Sequence, residues 1–138
     1  MENLKQIVRE FVQQILTEGR ADAADRYIDP AFVDHQPWPG APGTLEGFKS
    51  GLIAFRAAFP DLRAEVEHVV EEGDTVVARV AMSGTHLGPF MGAPPTGRTF
   101  RIQGLDMVRM RSGLMIEHWG FMDTHAMGQQ LGLAPPAM

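Results

Sequence analysis

The chain has 138 residues, 44% of them apolar and 21% charged, which suits one soluble globular domain spanning residues 1–138 with a proper core. Its net charge of −5 argues against a nucleic-acid partner, because a phosphate-binding surface needs an excess of Lys and Arg. The absence of cysteine excludes disulfides, thiolate nucleophiles and cysteine-ligated metals, and is compatible with a cytoplasmic location.

Leu4, Ile7, Val8, Phe11, Val12, Ile15 and Leu16 recur at helical spacing and predict an amphipathic helix ending near Gly19. Lys5, Gln6, Arg9 and Glu10 interrupt its apolar residues, so no signal peptide is read there. No run approaches the roughly 18 apolar residues of a membrane span. Asp22 to Tyr27 suits a short second helix, stopped before Pro30. Phe32 to Gly43 reads as a Pro/Gly-rich loop. Thr44 is placed to cap a third helix, with Leu45, Phe48, Leu52, Phe55 and Phe59 facing inward and Pro60 ending it.

The period then changes from helical to alternating. Leu62, Ala64, Val66, His68 and Val70 alternate with Arg63, Glu65 and Glu67, the mark of a half-buried strand. Glu72-Gly73-Asp74 predicts a hairpin turn into a long strand from Thr75 to Leu87. Gly88 to Gly97 is a loop, Thr99 to Arg111 a third strand, Ser112-Gly113 a tight turn and Leu114 to Asp123 a fourth strand. A short helix from Thr124 to Leu131 and a loose Pro135-Pro136 tail complete the chain. Three helices followed by four strands imply an α+β fold: a curved antiparallel sheet wrapped around the N-terminal helices, with a cone-shaped cavity between them. The chain carries nine methionines, many in its C-terminal half, whose flexible thioethers suit either gap filling or the wall of an apolar ligand cavity.

The run Glu117-His118-Trp119-Gly120-Phe121-Met122-Asp123 gathers the chemistry. A two-residue Ser112-Gly113 turn pairs Arg111 with Leu114, Val108 with Glu117, Asp106 with Trp119 and Ile102 with Asp123. One face then carries Asp106, Trp119, Phe121 and Asp123. The other carries Gln103, Leu105, Met107 and His118; a bulge would change this assignment. Asp123 is the best single candidate for a general acid/base, because an apolar cavity disfavours its charged form. Its position just before Thr124 equally suits an N-cap for the last helix. His35, entering the Pro/Gly-rich loop, is placed to hold a carbonyl or to sit at the surface, and Trp38 supplies a pocket wall. His86 ends the second strand and reads as a rim residue. His118 reads as a pocket residue or a bonded core histidine. Five histidines show no pair at metal-ligand spacing on one element, so no metal is expected. The chain has no P-loop, dinucleotide fingerprint or nucleophile elbow.

Read in order, Phe32-Val33-Asp34-His35, Glu46-Gly47-Phe48-Lys49, Phe59-Pro60-Asp61-Leu62 and Glu72-Gly73-Asp74 carry a pattern that continues through Gly84-Thr85-His86, Pro95-Thr96-Gly97, Glu117-His118-Trp119-Gly120 with Asp123, and Gln130-Leu131-Gly132. This ordered set resembles the SnoaL-like polyketide cyclases, within the nuclear-transport-factor-2-like (cystatin-like) superfamily that also holds ketosteroid isomerases. The resemblance implies a cone-shaped α+β fold and cofactor-independent acid/base chemistry. The reaction implied is an intramolecular aldol condensation on an aromatic polyketide ester, with Asp123 as the base and His35 as a pocket histidine. His86, Asp106, His118 and Trp119 are carried as further pocket groups. It also implies a small apolar oxygenated ligand and a homodimer or higher homo-oligomer. A non-catalytic binding module remains an alternative on the same fold. So does an epoxide hydrolase built from Asp106, Asp123 and Arg101 or Arg109.

Overall fold

A computed structural model describes residues 3–133; the Pro135-Pro136 tail lies outside them. Helix α1 (Leu4–Phe11) starts at Asn3, whose side-chain oxygen accepts the amide of Gln6, and buries Val8 and Phe11. It continues as a wider π-helical turn over Val12–Thr17, burying Val12, Ile15 and Leu16. The Arg56 guanidinium donates to the carbonyls of Leu16 and Thr17 that this ending leaves free, and also to Leu62. A 3₁₀ turn over Ala21–Arg26 takes the place of the expected second helix.

Strand β1 (Ile28–Asp34) corrects the sequence reading, which ended a helix at Tyr27 and began a loop at Phe32. Pro30 removes one amide and suggested a break, but β1 is an edge strand, where a missing amide is tolerated. Helix α2 (Leu45–Ala58) is capped by Thr44, whose hydroxyl accepts the amide of Gly47, and all five apolar residues expected to face inward are buried. Strands β2 (Arg63–Glu72), β3 (Thr75–Thr85), β4 (Thr99–Arg111) and β5 (Leu114–Met122) follow, with helix α3 (Thr124–Leu131) last.

The sheet order is β1-β5-β4-β3-β2, with β1 parallel to β5 and every other pair antiparallel. It therefore has five strands rather than four, curved over α1 and α2 in the α+β arrangement expected. In β2 a bulge at Glu67 shifts the register, so Val69 faces the core while His68 and Val70 are exposed, against the simple alternation read from the sequence. One core runs from Ile15 and Leu52 through Phe59 to Val76 and Leu131, all essentially unexposed. Truncating a ring such as Phe59 costs about 3–5 kcal/mol in a site of this kind. No helix among the described residues is long and apolar enough to cross a membrane.

Candidate active site

The concave side of the sheet and the N-terminal helices enclose a cavity of about 400 Å³. Its wall is mostly aliphatic and aromatic, with Phe11, Phe32, Phe48, Val80, Met82 and Met115 among the lining residues. At one part of this wall three ionisable side chains meet: Asp34, Asp106 and His118.

A bulge brings them together. Ser112 and Gly113 both have positive φ, at 53° and 78°, giving the hairpin turn whose backbone twist matches the flanking strands. Arg111 pairs with Leu114 and Met110 with Met115, as the turn dictates. Arg109 then pairs with Glu117, which leaves Ile116 as an extra residue in β5. Side chains alternate along a strand, so one extra residue exchanges the faces beyond it. His118 and Gly120 consequently lie on the inner face with Asp106, whereas Glu117 and Trp119 turn outward. The register expected without the bulge put Asp106 opposite Trp119; here Asp106 faces Gly120, and Met107 faces Trp119.

Strand β1 supplies the third member. It pairs with β5 so that Asp34 lies beside His118, and the alternation turns Phe32 and Asp34 inward and Val33 and His35 outward. One Asp34 oxygen accepts from His118 Nδ1 at 2.7 Å and from the Gln36 amide at 3.0 Å. His118 Nε2 lies 2.8 Å from Asp106 Oδ1. Carboxylates only accept, so an imidazole bonded to one at each ring nitrogen must carry both protons. Burial by itself pushes the His118 pKa down, but the bonds to Asp106 and Asp34 outweigh it and raise the value to about 9. The site is thus a carboxylate–imidazolium–carboxylate cluster with one net negative charge at neutral pH. The side chain of Asp34 is 4% exposed and that of Asp106 39%, so Asp106 is the carboxylate open to a ligand. Gln36, also in the lining, accepts the Gly120 amide through Oε1 at 2.7 Å, which leaves its amide NH₂ as a donor.

Of the residues singled out from sequence, Trp38, Asp106 and His118 line the cavity, and Trp38 packs against Phe48 and Phe55. The other four lie elsewhere. Asp123 is exposed and caps α3, its Oδ1 accepting the Ala126 amide at 3.0 Å; a residue at the strand–helix junction meets the free helix amides first. His35 stacks on Trp119 on the convex side of the sheet, with ring centroids 5.1 Å apart, and donates to Glu117 at 2.7 Å. The hydrogen bonds from His35 and Arg109 hold the Glu117 carboxyl below its usual pKa. Arg109, one of the two arginines offered for an epoxide hydrolase, is therefore engaged outside rather than beside Asp106 and Asp123. His86 is unexposed and sits among Phe59 and Phe90. The Thr96 amide donates to its Nδ1, and its Nε2 has no hydrogen-bond partner among the described residues.

Asp34, Gln36 and Gly120 escaped the sequence reading as site residues. The available signal was the spacing of Phe32 and Asp34, two apart in a strand hidden by Pro30.

A profile of the family described as SnoaL-like polyketide cyclase matches residues 6–131. The nogalonic acid methyl ester cyclase of Streptomyces nogalater is 32% identical over 123 residues, covering 83% of this chain and 87% of its own length. Among solved structures, TsrD from Streptomyces laurentii superposes with a TM-score of 0.85 at 28% identity, covering 95% of this chain and 96% of its own. IdmH from Streptomyces antibioticus gives 0.83 at 34% identity, covering 96% and 100%.

Proposed function

Since this chain belongs to the SnoaL-like polyketide cyclase family and is an enzyme of that type, we propose that it closes a ring by intramolecular aldol condensation, or a related proton abstraction, on a bulky, mostly apolar ester or ketone. The observation that carries this reading is the Asp34–His118–Asp106 cluster in an otherwise apolar cavity. Grouped ionisable residues in such a pocket suit proton transfer.

Asp106 is the base in this proposal, in place of Asp123. Both ring nitrogens of His118 are occupied, so His118 offers a ligand neither a lone pair nor a spare proton. The open carboxylate of Asp106 takes a proton from the carbon α to a carbonyl. The electron pair passes to the carbonyl oxygen as an enolate, which the Gln36 amide NH₂ can stabilise. The enolate carbon attacks a ketone carbon of the same molecule, one carbon–carbon bond forms, and the resulting alkoxide takes the proton back from Asp106. His118 holds Asp106 in place and offsets the change in charge as that proton comes and goes. Asp34, buried behind it, keeps the ring oriented.

The test is turnover of an aromatic polyketide methyl ester, followed by chromatography, for wild type, Asp106→Asn and Asp123→Asn. Loss of a general base lowers the rate by about 10²–10⁴-fold. Asp106→Asn is expected to show that loss and Asp123→Asn to turn over at the wild-type rate; the reverse pattern sinks the assignment. For the self-association implied by the resemblance, the exposed Val33, Leu105 and Met107 on the convex sheet face are the proposed contact, and light scattering that finds only monomer would remove that part.

A further inference from the structure

Gly120 sits in the interior of β5, where glycine weakens a strand and marks a close approach of something else. A Cβ at this position would lie 2.5 Å from Asp106 Oδ1, 2.9 Å from His118 Nε2 and 3.1 Å from His118 Cε1. All three nearest atoms therefore belong to the cavity cluster. Gly104, in the neighbouring strand, differs: a Cβ there would meet the backbone oxygen of Phe121 at 2.7 Å, an ordinary packing constraint. The backbone of Gly120 is also engaged, since its amide donates to Gln36 Oε1 at 2.7 Å. One residue thus touches the base, its histidine partner and the side chain assigned as the enolate donor.

We infer that Gly120 is a positioning residue: the space left by its missing side chain is what allows Asp106 and His118 to close on each other. This rests on the reading of Asp106 as the base. It adds that the pair needs a vacancy on the adjacent strand as well as the two side chains themselves. A methyl group at this position displaces side chains rather than backbone: first the partly open end of Asp106, at 2.5 Å, and then the His118 ring, at 2.9 Å. Asp106 can turn away from it. The fold therefore tolerates the change while the Asp106–His118 contact does not, and the amide that holds Gln36 is unaffected.

The experiment compares wild type, Gly120→Ala, Asp106→Ala and the double variant Asp106→Ala/Gly120→Ala. The first readout is the His118 titration midpoint by NMR of the imidazole, which needs no substrate; Asp34 on β1 and Asp106 on β4 are the charged groups that face this ring. Removing one carboxylate from hydrogen-bond reach moves such a midpoint by about 1 to 3 pH units. Gly120→Ala is expected to lower it toward the Asp106→Ala value. The double variant is expected to match Asp106→Ala alone, because truncating Asp106 removes both the 2.5 Å contact and the hydrogen bond that holds His118 Nε2 toward the methyl group. Turnover of the ester is expected to follow the same non-additive pattern. Should Gly120→Ala fold poorly, the double variant is expected to regain its thermal midpoint. An unchanged His118 midpoint in Gly120→Ala overturns the inference. So does a double variant whose losses multiply, or one that is no better folded than a poorly folded Gly120→Ala. If Asp106→Asn turns over normally while Gly120→Ala shifts the His118 midpoint, the base assignment fails and the positioning geometry stands.

Discussion

The charge on His118 gives the most direct test of the cluster. Its pKa is raised from 6.5 to about 9, against a burial effect that acts downward, by hydrogen bonds to Asp106 and Asp34. The side chain is 18% exposed, so solvent screens these interactions only weakly. The distance from 6.5 to about 9 corresponds to roughly 3 kcal/mol of preference for the imidazolium in the folded state. Because the folded value is the higher one, the native state binds more protons than the unfolded chain between these two pH values. Stability from this group is therefore complete below about 6.5 and is lost as the pH rises through about 9. Asp34→Asn keeps the shape and an accepting oxygen but removes one of the two countercharges. We expect the His118 midpoint to fall by about 1 to 3 pH units and the window of declining stability to move down with it. The assay is urea unfolding from pH 6 to 10 for both proteins, paired with imidazole NMR to identify the titrating group. A wild-type His118 titrating near 6.5, or an Asp34→Asn protein with the wild-type midpoint, would refute the doubly clamped imidazolium.

Two further outcomes follow from the geometry. Asp123→Ala removes the α3 cap and should lower stability by about 1 kcal/mol in denaturant unfolding, while turnover per folded molecule is unchanged; a large loss of turnover at wild-type stability would return Asp123 to the chemistry. The described cavity lining contains no Lys or Arg, and the cluster carries one net negative charge. An uncharged ester should therefore bind at least about tenfold more tightly than its free acid, a difference on the order of 1.4 kcal/mol by titration calorimetry. Equal affinities would contradict the charge assigned to the site.

Most of the elements were legible in the sequence because local physics dictates them. The spacing of Val8, Phe11, Val12, Ile15 and Leu16 buries one helical face whatever the partner. Thr44 caps α2, and Ser112-Gly113 closes the last hairpin with the expected first pair. Strand β1 was not legible, because Pro30 breaks a strand everywhere except at an edge, and only the assembled sheet makes β1 an edge. His118 and Asp106 were legible as pocket groups, but their partnership was not.

The sequence by itself determined the residue types available for acid/base chemistry, the α+β order and the family pattern. Which of those residues share the cavity was decided only in the tertiary structure. Side-chain direction in a strand reverses with every residue, so the single bulge at Ile116 turned His118 toward Asp106 and Trp119 away. The parallel pairing of β1 then set Asp34, rather than His35, beside His118. A carboxylate at a strand–helix junction finds helix amides within a few ångströms, and Asp123 was taken up as a cap. Each outcome depends on contacts between segments far apart in the chain, and local patterning carries no record of them.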